Sequence, residues 1–204
     1  HSHCEIYKVV GDCIMPREGV FTIVLKGGVV KPGDEITLIE ADPARPFTAA
    51  VITLSDRASR GEYEDKSGPL IRDMLEAAGY QVLEQLVLPD GRPRLELELT
   101  RLADQRQISV IFTTGGTGFS LRDLTPEATK AVCDREVPGI GEALRADSLK
   151  YTPNAILSRQ TAGIREQSLI INLPGSPKAC RENLEFLLKP LAHGLGILRG
   201  TATD

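Results

Sequence analysis

The sequence predicts an α/β fold: a mostly parallel sheet with helices on both faces, preceded by a short β-hairpin segment. Three observations predict it. From about residue 46 onward, short β-branched apolar runs alternate with stretches of helical period, the pattern of strands joined by crossover helices. The run from Ile108 to Thr113 is β-branched and apolar, as a strand covered on both faces should be. Finally, three expected strand ends carry polar motifs: Ser55-Asp56, Gly115 to Asp123, and Pro174-Gly-Ser176. An open parallel sheet sets such motifs along one edge, where they can share a crevice.

Each element has its own signal. Ala49 to Leu54 reads as the first strand. Ser67-Gly-Pro69 opens a helix whose Leu70, Ile71, Met74, Leu75 and Ala78 fall on one face, and Gly79 closes it. Gln81 to Leu88 is the next strand, and Leu95, Leu99, Leu102 and Ala103 form the core stripe of the following helix. The strand over 108–114 runs into Gly115, Gly116, Thr117 and Gly118, where the backbone can turn tightly and approach a ligand. Thr125 reads as an N-cap, with Pro126 at the first helical position and Glu127 in the first turn. Free helix N–H groups then lie near the glycine turn, an arrangement suited to phosphate. One or two helices occupy roughly 126–150, and Ser168 to Leu173 is a further strand. The last helix runs from Pro177 to about Leu198, and Pro190 is expected to interrupt or bend it. Its apolar residues from Leu184 to Leu198 exceed what one core absorbs, which points to self-association.

At 204 residues and 41% hydrophobic content, the chain can hold one full domain with a sizeable core plus something smaller. A formal charge of −4 and no dense Lys/Arg patch argue against a nucleic-acid partner. No apolar run reaches the roughly 18 residues of a membrane span, and no signal-peptide pattern precedes the first strand, so a cytoplasmic protein is expected. Cys4, Cys13, Cys133 and Cys180 form no Cys-x-x-Cys pair and read as free thiols. The first residue is His1 rather than Met, so the sequence reads as a fragment or processed form. Residues 1–45 differ from the rest. The stretch 19–25 alternates like a strand, Lys31-Pro-Gly-Asp34 signals a turn, and 35–39 reads as a second strand. So short a segment cannot bury a core alone. His1, His3, Cys4 and Cys13 are read as packing or terminal residues, without assigned chemistry. Asp42-Pro-Ala-Arg-Pro46 is the expected linker into a domain over 46–204.

The segment from Ile111 to Thr129 closely resembles the signature of the MogA/MoaB family, the molybdopterin adenylyltransferases of molybdenum cofactor synthesis. Thr53-Leu-Ser-Asp-Arg-Ala-Ser59, Glu64-Asp-Lys-Ser-Gly-Pro69, Leu88-Pro-Asp90, Ala155-Ile-Leu-Ser-Arg159 and Ile171-Asn-Leu-Pro-Gly-Ser-Pro177 resemble its other motifs. They follow the expected order over roughly 48–199. Upstream, Gly19-Val-Phe, Leu25-Lys-Gly-Gly-Val and Lys31-Pro-Gly-Asp-Glu-Ile36 resemble the C-terminal part of a MOSC domain, a β-rich module of molybdenum-cofactor sulfurases.

The family resemblance implies transfer of AMP from ATP to the terminal phosphate of molybdopterin, with pyrophosphate leaving and Mg²⁺ assisting. It implies acidic active-site residues at Asp90 and Asp123, candidates to hold Mg²⁺ or organise its waters. Ser55 and Asp56 are expected at the crevice, and Gly115, Gly116, Thr117, Gly118, Thr125 and Glu127 at the phosphates. Ser158 and Arg159 are expected at the pterin phosphate, and Pro174, Gly175 and Ser176 in the closing turn. Plainer readings stand beside these. Asp123 also suits a helix N-terminus, Asp90 a Pro-Asp-Gly turn, Asp56 a surface pair with Arg57, and Arg159 a surface site. Ser67 reads as a helix cap, and Lys178 as solvent-facing or close to the site. A homotrimer and a molybdenum-insertase partner are implied as well. The alternatives are an insertase, whose loop usually resembles Gly-Gly-Val-Ser, and a non-catalytic pterin-binding scaffold, which the retention of Asp90 and Asp123 disfavours.

Overall fold

A computed structural model describes residues 28–29, 31–35 and 45–202. The chain divides into two units, 1–40 and 41–204. In the first, the Lys31-Pro-Gly-Asp34 signal is a turn. Asp34 N–H donates to the Lys31 carbonyl at 3.1 Å, and Lys31 N–H donates to Asp34 Oδ2 at 2.8 Å. The strand expected at 19–25, the one at 35–39 beyond Glu35, and His1, His3, Cys4 and Cys13 lie outside the described residues.

The second unit alternates strand and helix as its apolar periodicity requires. β1 (Thr48–Leu54), α1 (Asp56–Ser59), α2 (Ser67–Ala77) and β2 (Gln81–Leu88) come first. α3 (Arg92–Thr100) runs into a π turn over Arg101–Gln105 before β3 (Val110–Thr114). Then follow α4 (Thr125–Val132), β4 (Arg135–Glu136), α5 (Pro138–Ser148) and a 3₁₀ turn over Pro153–Leu157. β5 (Ala162–Arg165), β6 (Ser168–Leu173) and α6 (Pro177–Arg199) complete the unit. The sheet order is β2-β1-β3-β6-β5-β4. β2, β1, β3 and β6 are parallel, while β5 runs antiparallel to both β6 and β4. The two-residue β4 and the antiparallel β5 are additions to the sequence reading, too short to leave a periodic signal.

Successive side chains of β1 point to opposite faces. Ala49 and Val51 join Ile71, Leu75, Phe112, Leu144 and Leu184 in one core. Ala50, Ile52 and Leu54 join Leu95, Leu99, Ile111, Ala128 and Ile170 in the other. Both faces are covered, which is why these strands are continuously apolar. The parallel registers pair Leu54 with Leu88, Thr53 with Thr114, and Thr114 with Leu173. Four strands therefore end level, and their exits share one edge.

α6 bears on two expectations. The helix is unbroken across Pro190. Phe186, whose carbonyl loses its donor, and Pro190 are both exposed, so solvent is available to that carbonyl. The apolar run is absorbed in part: Leu184, Leu187, Leu191 and Leu195 are buried in the first core, while Phe186 and Ile197 stay exposed. Each such leucine contributes about 1.5–3 kcal/mol on burial. At its far end, Arg199 lies over the Phe47 ring at 4.0 Å and donates to the Arg45 carbonyl at 2.6 Å, tying the helix to the entry of β1.

Candidate functional site

The edge where β1, β2, β3 and β6 end is lined by loops that bind one another. After β1, Ser55 N–H donates to the Leu88 carbonyl at 2.9 Å, and Ser55 Oγ caps α1 by accepting from Ala58 N–H at 3.2 Å. The next residue meets the exit of β2. Asp90 N–H donates to Asp56 Oδ1 at 3.0 Å, and Asp56 N–H donates to Asp90 Oδ2 at 3.3 Å. This reciprocal pair fixes two carboxylates side by side. Asp56 is therefore a partner of Asp90, and its cationic neighbour is Arg122, 3.3 Å from Oδ2, rather than Arg57. The Arg122 side chain is 73% exposed, so the ion pair itself adds little stability.

β3 leads into the glycine turn, whose left-handed backbone favours glycine. Gly115 and Gly116 have φ of +97° and +65°. A Cβ on Gly115 would lie 2.5 Å from the Leu54 carbonyl oxygen, so this turn passes directly over the end of β1. Thr125 does not cap α4 as expected. It is the first helical residue, Leu124 holds the cap position, and the Thr125 hydroxyl donates to the Gly115 carbonyl at 2.9 Å. Thr125 N–H also donates to the Gly116 carbonyl at 3.2 Å. Thr125 was recognisable as a helix-start residue, but its partner lies ten positions upstream and comes within reach only through the turn. Further along, Asp123 closes the loop, its Oδ2 accepting from Ser120 N–H at 3.0 Å. Arg159 N–H donates to the Thr117 carbonyl at 2.9 Å and Arg159 Nε to the Gly118 carbonyl at 2.7 Å. Its Nη1 pairs with Glu127 and its Nη2 bonds the Asp123 carbonyl.

The exit of β6 is held from two sides. Thr114 Oγ1 donates to the Pro174 carbonyl at 2.6 Å, and Ser67 Oγ donates to the Gly175 carbonyl at 2.9 Å. Gly175 packs against Gly115, where a Cβ would stand 3.4 Å from the Gly115 Cα. Ser176 caps α6, accepting from Ala179 N–H at 3.4 Å. Ser67 is thus the first helical residue rather than the helix cap expected of it. That role falls to Asp65, whose Oδ1 accepts from Ser67 and Gly68 N–H groups, both at 3.0 Å, while Oδ2 accepts from Thr53 Oγ1 at 2.6 Å. Asp65 went unread in the sequence, although an Asp two residues before Ser-Gly-Pro is itself a helix-start signal. Asp65, Thr53, Ser55, Lys66, Ser67 and Gly175 line a cavity of about 130 Å³. Below it, the buried Cys180 thiol donates to the Pro174 carbonyl, and burial pushes its pKa up to about 11.

The expected site residues therefore form three groups. Ser55, Asp56 and Asp90 lie together. Gly115, Gly116 and Thr125 lie together, and Gly115 packs against Gly175 of the turn that also holds Pro174 and Ser176. Thr117, Gly118, Asp123 and Glu127 surround Arg159. Ser158, whose hydroxyl donates to Gln160 Oε1 at 2.9 Å, and Arg159 line a separate hollow of about 290 Å³ with Lys130 and Arg145. Among the described residues, no three His, Cys, Asp or Glu side chains converge as a metal cage.

Comparison with known proteins agrees with this geometry. Residues 50–193 match the family described as "Probable molybdopterin binding domain". The molybdopterin adenylyltransferase of Helicobacter pylori J99 is 49% identical over 152 residues, 74% of this chain and 86% of that protein. The molybdopterin adenylyltransferase of Escherichia coli K12 is 47% identical over 137 residues, 66% of this chain and 70% of that protein. The crystal structure of the molybdopterin biosynthesis enzyme MoaB from Thermus thermophilus superposes with a TM-score of 0.72 at 44% identity, covering 76% of this chain and 97% of that one. Its parallel sheet, its glycine turn and these likenesses together place the chain in the molybdopterin-binding-domain family of MogA and MoaB.

Proposed function

We propose that this chain is a molybdopterin adenylyltransferase, moving AMP from ATP to the terminal phosphate of molybdopterin and releasing pyrophosphate. The observation that carries the reading is the meeting of the Gly115–Gly118 turn, the Pro174–Ser176 turn and the Asp56–Asp90 pair at the ends of four level strands. Relatives carrying that name at 47–49% identity support it. Transfer of this kind asks the protein chiefly to position two anions and offset their charge. Backbone N–H groups of the two turns supply donors without mobile cations.

The donor set also fits Mg²⁺, which favours one or two carboxylates with phosphate oxygens completing its shell. Asp90 together with Asp56 would hold it, and bound there it would neutralise phosphate charge. Asp123 keeps Oδ1 outside its loop hydrogen bond, and we assign that oxygen to the ATP side of the same reaction. Arg122, bridging from the glycine loop to Asp56, draws the two halves of the crevice together.

We further propose a homotrimer in the cytoplasm that hands its product to a molybdenum insertase. Leu121, Phe119 and Ile156, at 96%, 71% and 69% exposure, offer apolar surface for self-association. Among the described residues, no helix is long and apolar enough to cross a membrane. Incubation with molybdopterin, ATP and Mg²⁺, followed by mass spectrometry, should reveal the adenylylated pterin, and its absence sinks the enzymatic reading. Sedimentation at micromolar concentration tests the trimer, which a purely monomeric boundary would exclude.

A further inference from the structure

We infer that Arg159 is a positioning residue, a clamp that turns the peptide N–H groups of the glycine loop toward anionic substrate, rather than a phosphate ligand itself. The inference rests on the function proposed above. One arginine holds three carbonyls of the loop. Its backbone N–H takes that of Thr117 at 2.9 Å, Nε takes that of Gly118 at 2.7 Å, and Nη2 takes that of Asp123. In a trans peptide the N–H points opposite to the carbonyl. The N–H groups of Gly118, Phe119 and Leu124, which follow those carbonyls, therefore face away from Arg159. None of the three has an acceptor among the described residues.

The charge of Arg159 is also committed. Nη1 pairs with Glu127, whose other oxygen, Oε2, is buried without a hydrogen-bond partner among the described residues. Arg159 lines the hollow of Lys130 and Arg145, not the cavity of Ser55 and Gly175. The rigid fork of arginine suits this task, because its donors reach separate acceptors at fixed angles. A lysine offers the same charge from a single point.

Variants at Arg159 and Glu127, read together, separate the clamp from a direct ligand. If Arg159 clamps the loop, Arg159→Lys should raise the KM for molybdopterin nearly as far as Arg159→Ala does, by roughly 10- to 100-fold. Glu127→Gln should also raise it, since the clamp loosens. A direct ligand gives the opposite pattern at Glu127: Glu127→Gln then frees positive charge for the phosphate and lowers KM. That result overturns the clamp. The ¹H–¹⁵N resonances of Gly118, Phe119 and Leu124, recorded without substrate, should move in Arg159→Lys while the thermal transition stays cooperative. If the wild-type protein forms product and these resonances stay in place, the clamp fails alone. If the wild-type protein forms no product, the enzymatic reading fails, and the resonances still decide whether Arg159 orients the loop.

Discussion

Gly116→Ala should destabilise the domain by about 3 kcal/mol, for reasons confined to three residues. Gly116 sits at φ +65°, where alanine costs about 1 kcal/mol relative to glycine. Its Cβ would also stand 2.3 Å from Thr125 Oγ1. That hydroxyl is buried and bonded to the Gly115 carbonyl at 2.9 Å, so it can yield only by giving up the bond. Losing the bond costs about 1 kcal/mol, and residual overlap in a packed turn about as much again. In a domain of this size, 3 kcal/mol corresponds to a fall in Tm of about 6–12 °C. Thermal and urea denaturation of Gly116→Ala, Thr125→Ala and the double variant would isolate the cause. Without the Thr125 hydroxyl, the nearest side-chain atom is Thr125 Cβ at 3.4 Å, an ordinary contact. Gly116→Ala should then cost only about 1 kcal/mol in the Thr125→Ala background, a coupling of about 2 kcal/mol. An additive cycle, or a single variant within about 0.5 kcal/mol of wild type, would refute the reasoning.

Asp56→Asn and Asp90→Asn should each reduce turnover about 10²-fold, and the double variant little further, because the two carboxylates act as one unit. Multiplying losses in the product assay would show that they act separately. Asp123→Asn should lower turnover by about 10²-fold while calorimetry finds molybdopterin affinity retained; lost affinity would make Asp123 a substrate ligand instead. Cys180, with its thiol pushed to about 11 by burial, should resist iodoacetamide in the native protein at pH 8 and react in urea, as peptide mass spectrometry can read. Native labelling would contradict the buried thiol. Glu84, hydrogen-bonded by Arg101 at the end of α3, has its carboxyl pKa held below the usual range despite partial burial. A depressed pKa stabilises the fold above the unfolded value, about 4.3, and that contribution fades as pH falls through the folded value. Glu84→Gln should therefore cost about 1 kcal/mol at pH 7 and almost nothing near pH 2.5; an equal loss at both would rule out the ion pair as its cause.

Much of the fold was legible because its signals are local and repeated. Continuous apolar runs such as 49–54 and 168–173 can be strands only where both faces are covered, and the two cores on either side of β1 provide that cover. The leucine spacing of α3 fixed which side of that helix would be buried. Gly115 and Gly116 announced a tight turn that other residues make only at a cost, and the polar strand ends announced an edge that could hold a ligand. What stayed hidden depends on partners distant in sequence or on solvent. Pro190 could not be judged until the exposure of Phe186 was known, and the leucines of α6 looked surplus until the sheet supplied a face to receive them.

The sequence by itself determined the class of fold, the order of its parallel strands and long helices, and the set of loops that meet at one edge, since each follows from short-range periodicity and turn chemistry. Only the tertiary structure decided what the polar residues in those loops do. Asp56 pairs with Asp90 from 34 positions away, Ser67 holds a carbonyl 108 positions away, and Arg159 reaches the carbonyl of Gly118 across 41. A hydrogen bond is fixed by angstroms of separation in space, and chain spacing carries no record of that distance until the sheet has brought its strand ends together.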